Sequence, residues 1–143
     1  MFVRDLLAVK GRDVATISME RTVGDAIAML RERDIGAVVV TGGQGPLAGI
    51  LSERDVVRAL VGHGATTLEL PVSTLMSATV TTCTQDTSLN DLMATMTDRH
   101  IRHVPVLDEG RLAGLVSIGD VVKARVDELE AVRRELLDYV NAR

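Results

Sequence analysis

Two stretches of the chain place a glycine, a hydroxyl and a carboxylate in the same order. Gly49-Ile50-Leu51-Ser52-Glu53-Arg54-Asp55 returns as Gly114-Leu115-Val116-Ser117-Ile118-Gly119-Asp120. In the wider segments 47–57 and 112–122, seven of eleven aligned residues are identical. Each copy carries its Ser and Asp where an apolar strand runs into a helix. There a carboxylate can accept hydrogen bonds from sugar hydroxyls, and the Ser with the first helical amides can meet a phosphate. The same residues also make an ordinary helix cap worth about 1 kcal/mol. The two uses are compatible, and the spacing alone leaves both open.

Other residues near these copies could take part. Arg102 and His103 follow Ile101 in an apolar stretch read as a strand, where a buried charge needs a partner. A guanidinium can fork onto a phosphate, and an imidazole adds a donor or a charge. A local ion pair of Arg102 with Asp98 or Asp108 is the alternative. The aligned residues Gly36 and Ala37 can do neither, so two related sites would be unequal. Arg54 lies between Ser52 and Asp55, either on the same phosphates or as an exposed helix-start residue; its counterpart is Gly119. Gly49 and Gly114 allow close approach of neighbouring backbone. Cys83 reads as a small buried hydrophobe.

The elements that must hold these groups are duplicated as well, since a self-similar period marks a repeat architecture. Val14–Ser18 aligns with Val80–Thr84, both rich in β-branched residues, as short strands are. Thr22 and Thr87-Ser88 open apolar patterns of helical spacing. Strands are expected over 35–40 and 101–106, turns at 42–46 and 108–110, and further strands at 49–52 and 114–117. Helices begin near Asp55 and Asp120, short lead-ins lie at 3–7 and 72–76, and a Gly- and Thr-rich linker lies near 62–67. The boundaries read as 1–64 for the first repeat, 65–126 for the second and 127–143 for a helical extension. Each half alone would leave an apolar sheet face uncovered, so the halves are expected to bury these faces against each other about a pseudo-twofold axis. Neither is expected to be stable alone.

Composition narrows the function. The chain has 143 residues, 46% hydrophobic, which suffices for a core. Aromatics make up 1% and the formal net charge is −4, which disfavours nucleic acid as a partner. No apolar run reaches the roughly 20 residues that span a bilayer, and the N-terminus lacks a signal-peptide layout. A cytoplasmic protein without membrane contact is the expectation. The single Cys excludes an internal disulfide, and His63, His100 and His103 show no metal-ligand spacing. No nucleophile elbow or P-loop appears, so binding is favoured over catalysis and no metal is required.

The duplicated β-α-β-β-α unit, the lead-ins, the Ile101–Val106 stretch and both Gly-x-x-Ser-x-x-Asp segments resemble a tandem pair of CBS domains, a Bateman module. The resemblance covers nearly the whole chain. It implies a mixed α+β fold of two β-α-β-β-α repeats about a pseudo-twofold axis, with an extended C-terminal helix. It further implies an adenosine-containing ligand in the cleft between the repeats: AMP first, with ADP, ATP, NAD or S-adenosylmethionine as other members of the class. By resemblance, Asp55 and Asp120 would hold ribose, and Ser52, Ser117, Arg54, Arg102 and His103 the ribose or phosphates. Thr16, Ile17, Thr82 and Cys83, with the strands near Ile35 and Ile101, would enclose the base, and Gly36, Ala37 and Pro105 complete the expected ligand-binding set. The implied role is regulatory, with ligand shifting the angle between the halves and a protein target reading the change. A ligand-independent interaction scaffold is the alternative.

From Asp120 an amphipathic helix runs on, with Val122, Val126, Leu129, Val132, Leu136, Leu137 and Val140 at three- and four-residue steps. Its stripe needs a partner, either its own domain or another chain; a homodimer with this tail in the contact is the expectation.

Overall fold

The computed structural model describes all residues, Met1–Arg143. Two three-stranded sheets, each strand-helix-strand-strand-helix in origin, make up the mixed α+β fold. The first comprises β1 (Thr16–Ser18), β2 (Ala37–Thr41) and β3 (Gly49–Ser52), with α2 (Val23–Arg33) between β1 and β2 and α3 (Glu53–His63) after β3. The second comprises β4 (Cys83–Thr84), β5 (His103–Asp108) and β6 (Arg111–Ser117), with α5 (Leu89–Arg99) and α6 (Ile118–Asn141) in the matching places. In both, the first strand pairs parallel to the second and the third antiparallel to it.

The helix starts follow from the residues at their caps. Thr22, Ser52, Ser88 and Ser117 are all extended, and each side chain accepts the N–H of the residue three further on, an Asp every time. In α2, α3 and α6 that Asp reaches back to the cap N–H, closing a capping box. α2 and α5 stop at Asp34 and His100, both left-handed, with φ of 51° and 54°. Non-glycine residues seldom adopt that conformation, and the repeat preserves it at equivalent positions.

The lead-ins are helices, α1 (Val3–Lys10) and α4 (Val72–Leu75), and each docks on the opposite half. Val3, Leu6 and Leu7 of α1 join Cys83, Leu89, Leu92, Met96, Val104, Val106, Val116 and Val121 in the second core. Val72 of α4 joins Ala15, Ile17, Ala26, Leu30, Val38, Val40 and Leu51 in the first. Backbone bonds fix the exchange: Val3 N–H donates to Thr87 O (2.9 Å), and Val72 N–H to Arg21 O (2.8 Å). Helices, two of them exchanged, thus cover one face of each sheet; on the other face Ala37 and Val39 of β2 and Pro105 of β5 are buried outside both of these clusters, and His103 of β5 packs on Gly36, so the halves also meet across that face.

The exchange explains the two motif glycines. The lead-in end presses Leu7 onto Gly114 and Met76 onto Gly49. A Cβ on Gly114 would stand 2.8 Å from Leu7 Cδ2, and one on Gly49 2.8 Å from Met76 Sδ and 2.7 Å from Ser77 O.

Other expectations shift. Residues 80–82 form no strand; only Cys83 and Thr84 find a ladder partner, on β5. β2 and β5 begin two residues late, because Ile35-Gly36 and Ile101-Arg102 are consumed in leaving the left-handed caps. The Gly- and Thr-rich stretch is no open linker. α3 extends to His63 and a 3-10 turn covers Gly64–Glu69, with Thr67 buried and its hydroxyl donating to Gly64 O (2.7 Å). α6 runs without a break through residues 126 and 127.

Candidate functional site

Two clefts open where a Ser-x-x-Asp segment of one half faces the strand start of the other. The first, about 270 Å³, has Ser52, Glu53, Arg54, Asp55 and Arg58 of α3's first turns on one side. His100, Ile101, Arg102 and His103 stand opposite, and Ile50 and Ser77 complete the lining. The second, about 360 Å³, sets Ser117, Asp120 and Leu115 against Asp13, Val14, Ala15 and Arg33–Ala37, with Lys10 of α1 and His103 completing it. Both volumes are near the lower end for small-molecule sites, which begin at about 300 Å³.

The carboxylates are held alike. Asp55 Oδ2 accepts from the Ser52 N–H (2.9 Å) and hydroxyl (3.1 Å). Asp120 Oδ2 accepts from the Ser117 N–H (2.8 Å) and from Lys10 Nζ. In each residue Oδ1 accepts no hydrogen bond from the chain. The cap therefore uses one carboxylate oxygen and leaves the other for a ligand.

Their electrostatics differ. Lys10, at the end of α1, donates to Asp120 and to Leu115 O, so a helix of the first repeat seals the acid of the second. Burial raises the Asp120 carboxyl, but the Lys10 ammonium and the Ser117 donors outweigh it and hold it below the usual carboxylate range. A carboxyl depressed in the fold stabilises above its unfolded value, about 3.9, and that contribution fades as pH falls through the folded value. Lys10→Met is therefore expected to lower stability at pH 7 by about 1 kcal/mol, as a partly exposed pair does. Urea unfolding from pH 7 downward checks this, since the ion-pair part of the difference should be lost as the Asp120 carboxyl protonates.

His103 lies between the clefts and lines both. Its ring packs on Gly36, with Cε1 and Nε2 each 3.3 Å from where a Gly36 Cβ would stand, and Glu53 Oε1 is 3.4 Å from the same point. Burial lowers its pKa, with Lys10 and Arg102 adding to the effect and Glu53 and Asp120 opposing it. The neutral imidazole is the resting form at pH 7.

Of the residues expected in a site, Ser52, Arg54, Asp55, Ile101, Arg102 and His103 meet in the first cleft. Ile35, Gly36, Ala37, Ser117 and Asp120 meet in the second, with His103 again. Thr16, Ile17, Thr82, Cys83 and Pro105 line neither. Ile17 and Cys83 are core residues, and burial pushes the Cys83 thiol up to about 11. Pro105 is buried in β5, whereas Thr16 and Thr82 are exposed. Arg102 needs correcting: it occupies an exposed bend before β5, so no buried charge demanded a partner. Nor does it pair with Asp98 or Asp108; Asp108 accepts from Gln85 instead (2.8 Å).

Sequence reading missed Arg58, His100, Asp34 and Lys10. Arg58 was legible as the residue one turn beyond Arg54. Asp34 and His100 align across the repeat just before Ile35 and Ile101. Lys10 carried no signal, since only the exchange of α1 brings it to Asp120.

Comparison with known proteins finds the CBS domain family over residues 3–62 and again over 72–127. The Arabidopsis thaliana protein called CBS domain-containing protein CBSX3, mitochondrial, is 35% identical, over 98% of this chain and 70% of its own length. The crystal structure of the CBS-domain containing protein ATU1752 from Agrobacterium tumefaciens shares 49% identity with a TM-score of 0.84, over 87% of this chain and 99% of that one. The CBS domain pair of protein MJ0100, solved with 5′-methylthioadenosine and S-adenosyl-L-methionine, has a TM-score of 0.78 at 22% identity, over 90% and 98%, a likeness of fold. Two matched units, the exchanged lead-ins and the paired clefts agree: the chain belongs to the CBS domain family, as a tandem pair.

Proposed function

We propose that the chain is a cytoplasmic regulatory module that holds an adenosine-containing ligand, AMP foremost, in the clefts between its repeats and signals occupancy to a protein target. The observation that carries this reading is that each capping carboxylate lines a cleft and keeps an Oδ1 that accepts no hydrogen bond from the chain. Ribose hydroxyls can donate to it without disturbing the cap. The Ile35-Gly36-Ala37 and Ile101-Arg102-His103 stretches offer apolar walls and backbone groups for a purine. The complex of protein MJ0100 supports the reading at the level of ligand class, since both of its ligands contain adenosine. Binding rather than catalysis is proposed.

A ligand bridging the two halves shifts their arrangement only by its difference in affinity between the arrangements. Thermal unfolding with AMP, ATP, NAD and S-adenosylmethionine tests occupancy. A ligand at about 100 times its Kd adds about 2.7 kcal/mol and raises Tm. Asp55→Ala and Asp120→Ala are each expected to weaken one site by about tenfold or more, the loss of charged hydrogen bonds worth about 1.5–3 kcal/mol. No shift with any of the four at millimolar concentration would sink the reading.

Homodimerisation is part of the proposal. Along α6, Val126 at 47% exposure and Leu129 at 68% head an apolar stripe that continues to Val140. Val57 and Val61 on α3 are also exposed. Light scattering after size exclusion is expected to give twice the 15.4 kDa chain mass, and Leu129→Glu with Leu136→Glu to give the monomer. The same stripe favours the scaffold reading, which predicts a Tm that no nucleotide moves.

A further inference from the structure

The two clefts differ in charge, and the difference falls on residues the repeat does not share. In the first, three guanidiniums, Arg54, Arg58 and Arg102, face two carboxylates, Glu53 and Asp55. None of these Arg side chains makes an ion pair or hydrogen bond within the chain. Glu53 turns toward the seam, where its Oε1 lies beside Gly36 and His103. In the second cleft three carboxylates, Asp13, Asp34 and Asp120, face Lys10 and Arg33. Lys10 is already spent, since it donates to Asp120 and to Leu115 O. Asp13, Asp34 and Arg33 make no ion pair, so this cleft keeps one carboxylate more than it has cations, the reverse of the first.

The counterparts explain how a duplicated fold became unequal. Arg54 and Arg102 correspond to Gly119 and Gly36, and Arg58 to Lys123, which does not line the second cleft. Conversely His100 of the first cleft corresponds to Asp34 of the second. Unpaired guanidiniums in a concave wall attract phosphate and can fork onto it. Unpaired carboxylates repel it and favour a neutral or cationic group.

We propose that the clefts divide ligands by charge: the first takes the phosphorylated form of an adenosine compound, and the second takes an adenosine compound whose 5′ substituent is uncharged or cationic. The proposal rests on the adenosine reading above and extends it, because ribose binding by the two acids would by itself make the sites alike.

Calorimetry on the full chain tests the division with four probes: AMP, adenosine, S-adenosylmethionine and inorganic pyrophosphate. AMP is expected to bind one site at least about tenfold more tightly than adenosine, equivalent to about 1.4 kcal/mol. Arg54→Ala with Arg102→Ala should remove that advantage and abolish pyrophosphate binding while leaving S-adenosylmethionine unchanged. Asp120→Ala should do the reverse, removing S-adenosylmethionine and sparing AMP. Both Arg residues are exposed, so the double variant retains the fold, which its far-UV spectrum and unfolding midpoint verify. AMP binding no tighter than adenosine, or AMP lost with Asp120→Ala and kept in the Arg variant, overturns the charge division and leaves the adenosine reading standing. If pyrophosphate binds in an Arg-dependent manner but neither adenosine nor S-adenosylmethionine binds, the adenosine reading fails, and with it the second half of the proposal.

Discussion

Leu7→Ala is expected to destabilise the protein by about 2–5 kcal/mol, the range for emptying a leucine-sized space in a core. Leu7 is 1% exposed although it belongs to a short N-terminal helix. It closes the core of the second repeat and seats on Gly114. Urea unfolding should show a lower midpoint with little change in slope. Gly114→Ala is the natural companion. Alone it forces a methyl to within 2.8 Å of Leu7 Cδ2, the flexible end of a side chain that can turn aside. With Leu7 already truncated, the same methyl enters vacated space. The pair should therefore be non-additive, with a coupling in the range of about 0.5–3 kcal/mol seen for contacting residues. Strict additivity would show that α1 does not bear on Gly114.

Gly49→Ala is expected to cost more than Gly114→Ala, although the repeat makes the two glycines equivalent. Here the new Cβ meets Ser77 O at 2.7 Å, a backbone atom, as well as Met76 Sδ. Ser77 is tied to β3: its N–H donates to Ile50 O (2.9 Å), and Ile50 N–H donates to Ser77 O (3.0 Å). Relief requires moving the strand or breaking that pair, so the overpacking cost of about 1–3 kcal/mol should be felt in full. Ser77 also lines the first cleft, so the variant should weaken ligand binding there and leave the second cleft intact. Equal midpoints for the two Gly→Ala variants would contradict this account.

Much of the architecture could be read from local chemistry. Ser52 with Asp55, Ser117 with Asp120 and Thr22 with Asp25 carry their own capping instructions, and the structure obeys them because a cap is settled within four residues. The duplication showed that both halves carry the same succession of elements, since the same pattern must fold the same way twice, but the strand order within each sheet was not legible in it. Val80–Thr82 misled because β-branched residues look alike whether or not a neighbouring strand is present, and a ladder needs that neighbour. Arg102 misled for a related reason. The apolar run around it suggested burial, but the turn out of the left-handed His100 leaves it in solvent. Lys10 and the lead-in exchange were beyond reach, because packing between segments distant in the chain leaves no periodicity in either. The asymmetry of the clefts was half visible, in Gly36 and Gly119 standing opposite Arg102 and Arg54. Its acidic side waited on knowing that Asp13 and Asp34 face Asp120 across one cleft.

The crossing of the lead-ins dictates an order of events during synthesis. Residues 3–10 leave the ribosome well before the core they join is complete, since its last member is Val121. At about 5–20 residues per second, that wait is on the order of ten seconds. Eight residues are too few to keep a helix on their own, when isolated helices below about 12–15 residues are marginal. The N-terminal segment must therefore remain uncoiled, its valine and leucines in water, until the second repeat offers a place to dock. A segment translated before either repeat is thus among the last to become ordered, and its arrival is the latch that joins the finished halves.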